Sequence, residues 1–450
     1  MKKVYLKTFG CQMNDYDSEL ALGLLKKEGY TAAQDEFEAD VILFNTCSVR
    51  QHAEDKVYSQ IGELREIKKA RPELVIGVMG CMVENYKTKF FSRFPYVDLL
   101  IGTKSIQELP AAIEKIKKER VKVFELAKAG FGYELYETPR FEGKIHAYLP
   151  IMTGCDKVCS FCVVPYVRGP EISRPLVEVI EQVKRFAESG IKHVTLLGQN
   201  VNSYRGNGLK NVGAGSPSPG RGDLAPTFSD LISDIAEIPG IEKVSFTTSH
   251  PEDAREELFL AIRDNEKISR HFHLPLQSGS DRILEKMRRG HTLSEYRRKI
   301  DRMRELIPNV SITTDIICGF PTETEEDFHE TEQALRDIEY DDAFIFRYSP
   351  RPHTGAGRWE DAIPHEEKAR RVTELLAIQK EISRKRNQTY VGRTFKVLIE
   401  EINKKSSEEV LAWSWHDKKV VFPGNADEIG SIVNVTLTDL INETFRGVRM

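Results

Sequence analysis

Three thiols fall within eight residues in Cys155-Asp156-Lys157-Val158-Cys159-Ser160-Phe161-Cys162, and this stretch decides the fold. It comes directly after an apolar run, 147–152, that reads as a strand. Thiols this close together are typical of a metal or cluster site and unusual for a packed core. Three ligands without a fourth nearby argue against a closed tetrahedral zinc site. They favour a four-iron four-sulfur cluster that keeps one iron open for a further ligand.

The chain after about residue 146 repeats a strand-then-helix unit. Strands that alternate with helices predict a parallel sheet. A closed TIM barrel has eight such units, so a smaller number predicts a partial barrel with an open side that would admit a large substrate. The apolar runs number six: 147–152, 194–197, 244–247, 272–276, 312–317 and 343–346.

The first part of the chain also alternates apolar runs with helical stretches, which predicts a doubly wound α/β domain with a parallel sheet. Three further cysteines, Cys11, Cys47 and Cys81, each follow one of these runs. They would meet at the carboxyl edge of the sheet, where open α/β sheets build their sites. A lone cysteine there would more often be core, but three at equivalent places favour a second three-cysteine cluster. The runs are 4–9, 39–44, 74–79 and 97–101, and the helical stretches include 18–28 and 53–70.

The end of the chain changes from helix to short strands. A charged helix is predicted over 365–387, and four strand-like runs follow it, which fit a small OB-like β-barrel. We therefore expect three domains, over 1–130, 144–386 and 387–450. A linker is expected at 131–143, and the glycine- and proline-rich insertion 205–226 is expected to be disordered. The four runs are 395–399, 410–415, 419–422 and 432–437.

Composition limits the class of protein. The chain has 450 residues, of which 40% are hydrophobic and 30% charged, with a net charge of −4, so charge alone predicts no nucleic-acid partner. No apolar run reaches the roughly 18 residues of a membrane span, and the start lacks a secretory signal, so we expect a cytoplasmic protein. An odd number of cysteines, seven, fits metal sites better than disulfides. The seventh, Cys318, is predicted to be a buried small hydrophobe.

The C-x3-C-x2-C spacing after the first strand of a six-unit βα barrel resembles the radical S-adenosylmethionine enzymes. The resemblance implies that the open iron binds the amino and carboxylate groups of the methionine part. It also implies that one electron cleaves the bound molecule to a 5′-deoxyadenosyl radical. S-adenosylmethionine and a 4Fe-4S cluster held by Cys155, Cys159 and Cys162 are thus the implied cofactors.

Taken together, the three predicted domains resemble the methylthiotransferases, which replace a C–H bond by C–S–CH3, and the last domain resembles the RNA-binding TRAM module. Residues 353–356 depart from the Gly-Thr-Pro-Ala usual in this family. Five motifs look most like the branch called MiaB: Asn45-Thr46-Cys47-Ser48-Val49-Arg50, Cys162-Val163-Val164-Pro165-Tyr166, Arg168-Gly169-Pro170-Glu171, the stretch 273–282 and Tyr348-Ser349-Pro350-Arg351-Pro352.

This resemblance implies a transferase that carries two 4Fe-4S clusters and methylthiolates C2 of N6-isopentenyladenosine beside the tRNA anticodon. One S-adenosylmethionine would give the methyl group and a second the radical. The implied partners are the tRNA anticodon stem-loop, a low-potential electron donor of the flavodoxin or ferredoxin type, and iron–sulfur assembly proteins, with the chain a monomer. Two alternatives keep the chemistry but change the target to threonylcarbamoyladenosine in tRNA or to a ribosomal-protein aspartate. A third is a non-catalytic iron–sulfur protein that binds RNA.

Several polar residues follow the predicted barrel strands, where βα barrels place their functional groups. The resemblance implies that they contact S-adenosylmethionine, with Phe161 near the adenine, although each could be an ordinary strand-end cap. Two other features have two readings each. Trp413 and Trp415, on one predicted strand, could be core or stack on bases, and nine basic residues could form a solvated face or bind phosphates. The strand-end residues are Gln199, Asn200, Ser249, His250, Gln277 and Arg347; the basic ones are Arg282, Lys286, Arg288, Arg289, Arg297, Arg298, Lys299, Arg302 and Arg304.

Overall fold

The computed structural model describes residues 2–48, 51–126, 144–206 and 225–450, without the side chains of residues 52 and 53. The predicted linker 131–143 and most of the predicted insertion 205–226 lie outside the described residues. Among the helices that are described, none is both long and apolar enough to cross a membrane.

The first domain is a six-stranded parallel sheet in the order β2-β1-β3-β4-β5-β6. Helices α1 and α5 cover one face and α2, α3 and α4 the other, so the doubly wound prediction is confirmed. Strands β2 and β6 were not predicted, because each has three residues that include a polar one and so shows no apolar run. The elements are β1 Lys2–Thr8, α1 Gln12–Lys27, β2 Tyr30–Ala32, β3 Val41–Thr46, α2 Gln51–Ala70, β4 Val75–Gly80, α3 Cys81–Tyr86, α4 Lys89–Arg93, β5 Leu99–Ile101, α5 Leu109–Glu119 and β6 Val123–Glu125.

The central domain contains the six predicted barrel strands in chain order. Two three-stranded parallel sheets, β7-β10-β11 and β12-β13-β14, are joined by a bridge between Val244 and Ile268. Within the described residues no pairing joins β7 to β14, so the barrel is open, as predicted. The elements are β7 His146–Pro150, β8 Met152–Thr153, α6 Val164–Val167, β9 Ile172–Ser173, α7 Leu176–Glu188, β10 His193–Leu197, α8 Phe228–Ala236, β11 Lys243–Phe246, α9 Glu256–Asp264, β12 His271–His273, α10 Asp281–Lys286, α11 Leu293–Leu306, β13 Ser311–Cys318, α12 Glu325–Ile338, β14 Asp342–Arg347 and α13 His365–Gln388.

Local signals in the sequence start the outer helices of this barrel. At α11, the Thr292 hydroxyl accepts a hydrogen bond from the Glu295 amide, and the Glu295 carboxylate accepts one from the Thr292 amide. Thr324 and Asp327 form the same capping box at α12. Such boxes satisfy amides that the first helical turn leaves free. Inside the barrel, Cys318 is 1% exposed within the core, which confirms its prediction as a small buried residue.

The last domain is a closed five-stranded barrel in the order β15-β16-β17-β19-β18. The prediction of a small OB-like β-barrel is confirmed, although the sequence predicted four of its five strands and missed β19. The prediction that Trp413 and Trp415 share one strand is wrong, because β16 ends at Ser414. Trp415 is buried, and its carbonyl accepts hydrogen bonds from Arg270 and Ser269 of the central domain. The strands are β15 Thr394–Ile402, β16 Glu409–Ser414, β17 Lys419–Pro423, β18 Ile432–Ile441 and β19 Thr444–Arg449.

The closed barrel packs against the amino-terminal ends of the central strands. Lys243, the first residue of β11, donates to the Ser414 carbonyl at 2.9 Å and is fully buried. Asp341, just before β14, is equally buried and binds Lys418 at 2.8 Å. The last domain therefore closes the amino-terminal end of the open barrel through a polar interface, called here the polar floor, which includes Lys243 and Asp341. This end lies opposite Cys155 and its neighbours.

Candidate functional site

The three clustered cysteines lie on a loop that doubles back on itself at the carboxyl end of the barrel. Gly154 begins this loop with a φ of +76°, and a Cβ at this position would lie 1.9 Å from the Pro170 carbonyl oxygen. The Cys155 amide donates to the Gly169 carbonyl at 3.2 Å. Only glycine allows this approach, so residues 169–170 hold the start of the cysteine loop in place.

Two basic side chains point at the sulfur of Cys159. Arg289 donates to Sγ at 3.4 Å and to the Pro275 carbonyl at 2.7 Å. His250 Nε2 lies 4.0 Å from the same sulfur, while its Nδ1 accepts from the Glu252 amide. Because Nδ1 accepts, the neutral ring carries its proton on Nε2, facing Cys159. Burial, with help from Arg289, lowers the pKa of His250, which keeps this ring neutral. Both donors suit a thiolate at Cys159.

The other two thiols of the loop hold their protons tightly in the free protein. Burial, together with the nearby Cys159, raises the pKa of Cys155 to about 11 and that of Cys162 to about 12. Metal ligation requires thiolates, so an iron–sulfur cluster would have to displace these protons. The three thiols are close enough for charge on Cys159 to act on the other two, and no carboxylate is hydrogen-bonded to them in the part of the chain that the structure describes. Three such sulfurs form a donor set that suits iron–sulfur ligation.

A cavity of about 440 Å³ opens beside the cysteine loop. Cys159 and Cys162 line it from the inside, and Arg288 lies on its wall. Tyr166 and Trp359, both exposed aromatic side chains, stand at the same cavity. The cysteine loop is therefore reachable from solvent past aromatic and cationic groups.

Cys11, Cys47 and Cys81 follow β1, β3 and β4, three neighbouring strands of the first sheet. The ends of these strands come close: a Cβ on Gly10 would lie 2.8 Å from the Cys47 Cβ. A Cβ on Gly80, whose φ is +96°, would lie 2.6 Å from the Thr46 carbonyl oxygen. The structure thus brings the three thiols to one edge, as the sequence predicts, and the glycines permit it.

Two buried asparagines, which the sequence analysis did not single out as functional, support this edge. The Asn14 amide group donates to the Asn45 side-chain oxygen at 2.9 Å and to the Thr46 carbonyl at 3.1 Å. Asn45 donates back to the Asn14 carbonyl at 2.7 Å. Cys11 Sγ donates to Asn14 Oδ1 at 3.4 Å. This exchange fixes the loop of Cys11 against the end of β3.

The residues after the barrel strands include acceptors that lack donors. Gln199 Oε1, Asn200 Oδ1 and Gln277 Oε1 are buried and have no hydrogen-bond partner among the described residues. Asn200 donates to Asp253 at 2.6 Å, and the buried Ser249 hydroxyl donates to the Asn202 side-chain oxygen at 3.2 Å. A buried acceptor without a donor costs about 1–3 kcal/mol. A ligand that brings N–H or O–H donors, as S-adenosylmethionine does, would relieve that cost.

Phe161 and Arg347 lie in different surroundings. Phe161 is partly buried and packs against an apolar cluster that includes Met287 and Tyr348. Arg347 ends β14 but is exposed and hydrogen-bonded to His365 at 2.8 Å. Arg347 therefore does not belong to the group of buried acceptors formed by Gln199, Asn200 and Gln277.

Most side chains of the basic run over residues 282–304 are engaged in contacts within the protein. Arg282 pairs with Asp327, while Arg304 donates to two backbone carbonyls. Arg289 is buried against Cys159, a role the sequence could not indicate because the two residues lie 130 positions apart. Of the nine, Arg288 and Arg298 are exposed and have no acidic partner in the described part of the chain. The phosphate-binding reading of the whole run therefore weakens. Two further ion pairs on this face are Arg297 with Asp337 and Arg302 with Glu256.

Known proteins match the chain along its whole length. The models of the uncharacterized protein family UPF0004, the radical SAM superfamily and the TRAM domain match residues 3–102, 149–335 and 388–447. A tRNA-2-methylthio-N(6)-dimethylallyladenosine synthase of Protochlamydia amoebophila is 40% identical over 451 residues, covering 99% of this chain and 96% of the relative. The protein of the same name from Symbiobacterium thermophilum is 41% identical over 450 residues, with 99% and 94% covered.

The chain belongs to the MiaB branch of the radical S-adenosylmethionine methylthiotransferases. Among solved structures, the radical S-adenosylmethionine methyltransferase TsrM from Kitasatospora setae matches with a TM-score of 0.54 at 15% identity. The match covers 79% of this chain and 77% of TsrM. At that identity it supports the fold alone, a sheet domain before a radical SAM barrel.

Proposed function

We propose that this MiaB-branch protein methylthiolates C2 of N6-isopentenyladenosine beside the anticodon of tRNA. The proposal takes its substrate from relatives of about the same length and 40% identity. The observation that carries its chemistry is that one short segment, residues 163–169, packs against Cys81 of one set of thiols and accepts a hydrogen bond from the Cys155 amide of the other. A structural or sensing iron–sulfur protein would need neither an open iron in the barrel nor unfilled acceptors beside it.

We assign the barrel site to S-adenosylmethionine. Cys155, Cys159 and Cys162 would hold a 4Fe-4S cluster, which together with S-adenosylmethionine supplies the one-electron chemistry that activates the C–H bond. Arg289 and His250 orient Cys159 and offset the charge of its thiolate. The ligand would be bound by the groups that the strand ends leave unfilled, the oxygens of Gln199, Asn200 and Gln277, with Ser249 beside them, Phe161 near the adenine and Arg347 at the rim.

We assign the cysteine edge of the amino-terminal sheet to the sulfur that is inserted into the tRNA base. Cys11, Cys47 and Cys81 would hold a second 4Fe-4S cluster, with Asn14 and Asn45 keeping the three strand ends in register. The three domains then divide the reaction between them, because residues 1–130 hold the sulfur site, 144–386 generate the radical, and 387–450 bind RNA as a TRAM module. The proposed partners are the anticodon stem-loop, a flavodoxin- or ferredoxin-type electron donor and assembly proteins, for a cytoplasmic monomer.

The test separates sulfur insertion from radical generation. The variant Cys11→Ala/Cys47→Ala/Cys81→Ala, reconstituted and reduced, should still release 5′-deoxyadenosine but form no 2-methylthio product on tRNA that carries isopentenyladenosine. The variant with alanine at Cys155, Cys159 and Cys162 should form neither, because no open iron remains to bind the methionine end. Each variant should hold about four irons, against about eight in the unmodified protein.

Cys318→Ala is the matched control, because Cys318 is buried in the barrel core and belongs to neither set. It should retain both products and all of the iron. Methylthio product from the amino-terminal variant would overturn the sulfur-carrying role, and full iron retention in either triple variant would overturn the two-cluster assignment.

A further inference from the structure

One short segment runs directly from the barrel cysteines to the amino-terminal cysteines. Helix α6 begins two residues after Cys162. On it and just before it, Val167 and Val163 pack against Cys81 in a small buried cluster. The Val167 carbonyl accepts a hydrogen bond at 3.3 Å from Thr103, a residue of the first domain. The segment is therefore fixed to both domains.

Arg168 lies at the centre of this junction. Its side chain is 4% exposed and binds Asp17 of α1, which is fully buried, at 3.1 Å. The same guanidinium lies beside the Cys81 thiol, against which Val163 and Val167 pack. The next residue, Gly169, accepts the hydrogen bond of the Cys155 amide. Two consecutive residues thus contact one cysteine of each set.

The chemistry of arginine suits this position. A guanidinium stays charged and offers a rigid fork of donors, so it can bind a carboxylate and a thiolate at once. Hydrogen bonds to cluster sulfurs and nearby charges are among the factors that set the reduction potential of an iron–sulfur cluster. A cation beside the cluster favours its reduced form, which carries more negative charge, whereas the Asp17 carboxylate opposes this effect.

We propose that Arg168 is a positioning residue that couples the two cysteine sites and raises the reduction potential of the cluster at Cys81. The proposal rests on the proposed function, because it requires the second cluster. Asp17 holds the guanidinium in place and tempers its charge. Gly169, the residue after Arg168, is hydrogen-bonded through its carbonyl to the Cys155 amide. Arg168 and Gly169 therefore keep the two cysteine sites in a fixed relative geometry.

The first measurement is an EPR-monitored redox titration of the amino-terminal cluster. Each variant is made in the full chain with alanine at Cys155, Cys159 and Cys162, so that only this cluster gives a signal. Arg168→Gln should shift the midpoint potential to a more negative value, and Arg168→Lys should shift it less, because lysine keeps the charge. Asp17→Asn should shift it to a more positive value. Opposite shifts from two partners are not expected of residues that only support the fold.

Arg351→Gln is the matched control. Arg351 is also buried and bridges the same two domains, and it binds Glu54 at 3.2 Å and Gln51 at 3.0 Å. Its loss should weaken the interface and leave the potential unchanged. An unchanged potential in both Arg168→Gln and Asp17→Asn would overturn the proposal. If Arg168→Gln fails to hold its iron, the Asp17→Asn shift alone decides.

The second measurement uses chains with both cysteine sets intact. Arg168→Gln should release 5′-deoxyadenosine at the rate of the unmodified protein but form several-fold less methylthio product per molecule released. An unchanged ratio would overturn the coupling role. A different result would contradict the proposed function itself. In that case the parent chain of the titration, which keeps Arg168 and Asp17, would bind no iron at the amino-terminal cysteines.

Discussion

Gln277 is held in a conformation that side chains rarely adopt. Its φ is +78°, in the region that favours glycine. Its amide donates to the Asp315 carbonyl at 2.8 Å, and its carbonyl accepts from Ile317 at 2.9 Å, so bridging to β13 keeps it there. Backbone strain of this kind costs about 1–3 kcal/mol and clusters at binding sites. The Oε1 of the same residue is buried without a donor in the described structure, which indicates that the strained backbone holds this oxygen ready for a ligand.

Gln277→Leu should therefore weaken S-adenosylmethionine binding about 5- to 30-fold, the effect of losing one buried hydrogen bond of about 1–2 kcal/mol. Anaerobic equilibrium binding to the reconstituted protein measures it. Gln379→Leu is the matched control, because Gln379 also has a buried Oε1 without a partner in the described structure but lies on α13, bonded to the Tyr340 carbonyl. Equal affinity in the Gln277 variant and the unmodified protein would contradict the assignment.

Residues differ in how far sequence could predict their roles. A cluster site at Cys155, Cys159 and Cys162 could be predicted because three cysteines within eight residues are typical of such sites. Cys11, Cys47 and Cys81 were readable because each follows a recognisable strand. Arg168 and Arg289 were not, because contact with a cysteine in the other domain, or 130 positions away, leaves no local pattern.

At the scale of elements, the turn between β16 and β17 is one of the contacts that join the last domain to the barrel, beside those of Gly430 with Lys192 and of Glu400 with His193. The sequence predicted both strands but could not show that Trp415 leaves its strand to meet Arg270 and Ser269, since that contact spans about a third of the chain. His416 is in this turn, and both of its ring nitrogens are buried without a partner in the described structure. Burial, together with the charges of Arg270 and Lys418, lowers the pKa of His416 to about 4.

This turn predicts a loss of stability in acid. An unfolded histidine takes up its proton near pH 6.5, whereas folded His416 does not until about pH 4. The stability that depends on its neutral form is complete above about pH 6.5 and is lost as the pH falls below it, by about 1.4 kcal/mol per unit. Melting temperatures of the apo chain between pH 7.5 and 5.5 should show this decline, and His416→Phe should reduce it.

His329→Gln serves as the control. His329 is exposed on α12, and Glu332 raises its pKa, so its contribution has the opposite sign and is lost as the pH rises. This variant should therefore keep the acid decline. An identical decline in His416→Phe and the unmodified chain would show that other groups cause it.

At the scale of the whole molecule, the two proposed RNA contacts lie at opposite ends of the barrel. The cysteine loop follows the carboxyl ends of the strands, and the last domain covers their amino ends through Lys243 and Asp341. Strands of about six residues separate the ends by about 20 Å. A bound tRNA would have to span this depth. Removing the last domain would also expose the polar floor, so deletion cannot isolate RNA binding, whereas point changes on its outer surface can.

Trp413 and Lys419 are the residues for that test. They are directly opposed on β16 and β17, and both are partly exposed, which places an aromatic ring beside a cation on the outside of the closed barrel. Trp413→Ala should weaken tRNA binding by about 1–3 kcal/mol if one base stacks there. Lys419→Glu should weaken binding and lower the dependence of affinity on salt by about one charge.

Both variants should release 5′-deoxyadenosine as the unmodified protein does, because we assign that chemistry to the cysteine loop at the other end of the barrel. Arg302→Gln is the control: Arg302 is basic and exposed, but Glu256 already neutralises it, so its loss should leave tRNA affinity within about twofold. Affinities of all variants are compared at the same salt concentrations, over a series that gives the salt dependence, with a short anticodon hairpin beside full-length tRNA. If the hairpin reaches only the cysteine loop, it alone should be insensitive to Trp413→Ala. Unchanged affinity for full-length tRNA in both variants would move RNA binding away from this face and leave Tyr166, Trp359 and Arg288 at the cavity as its main contacts.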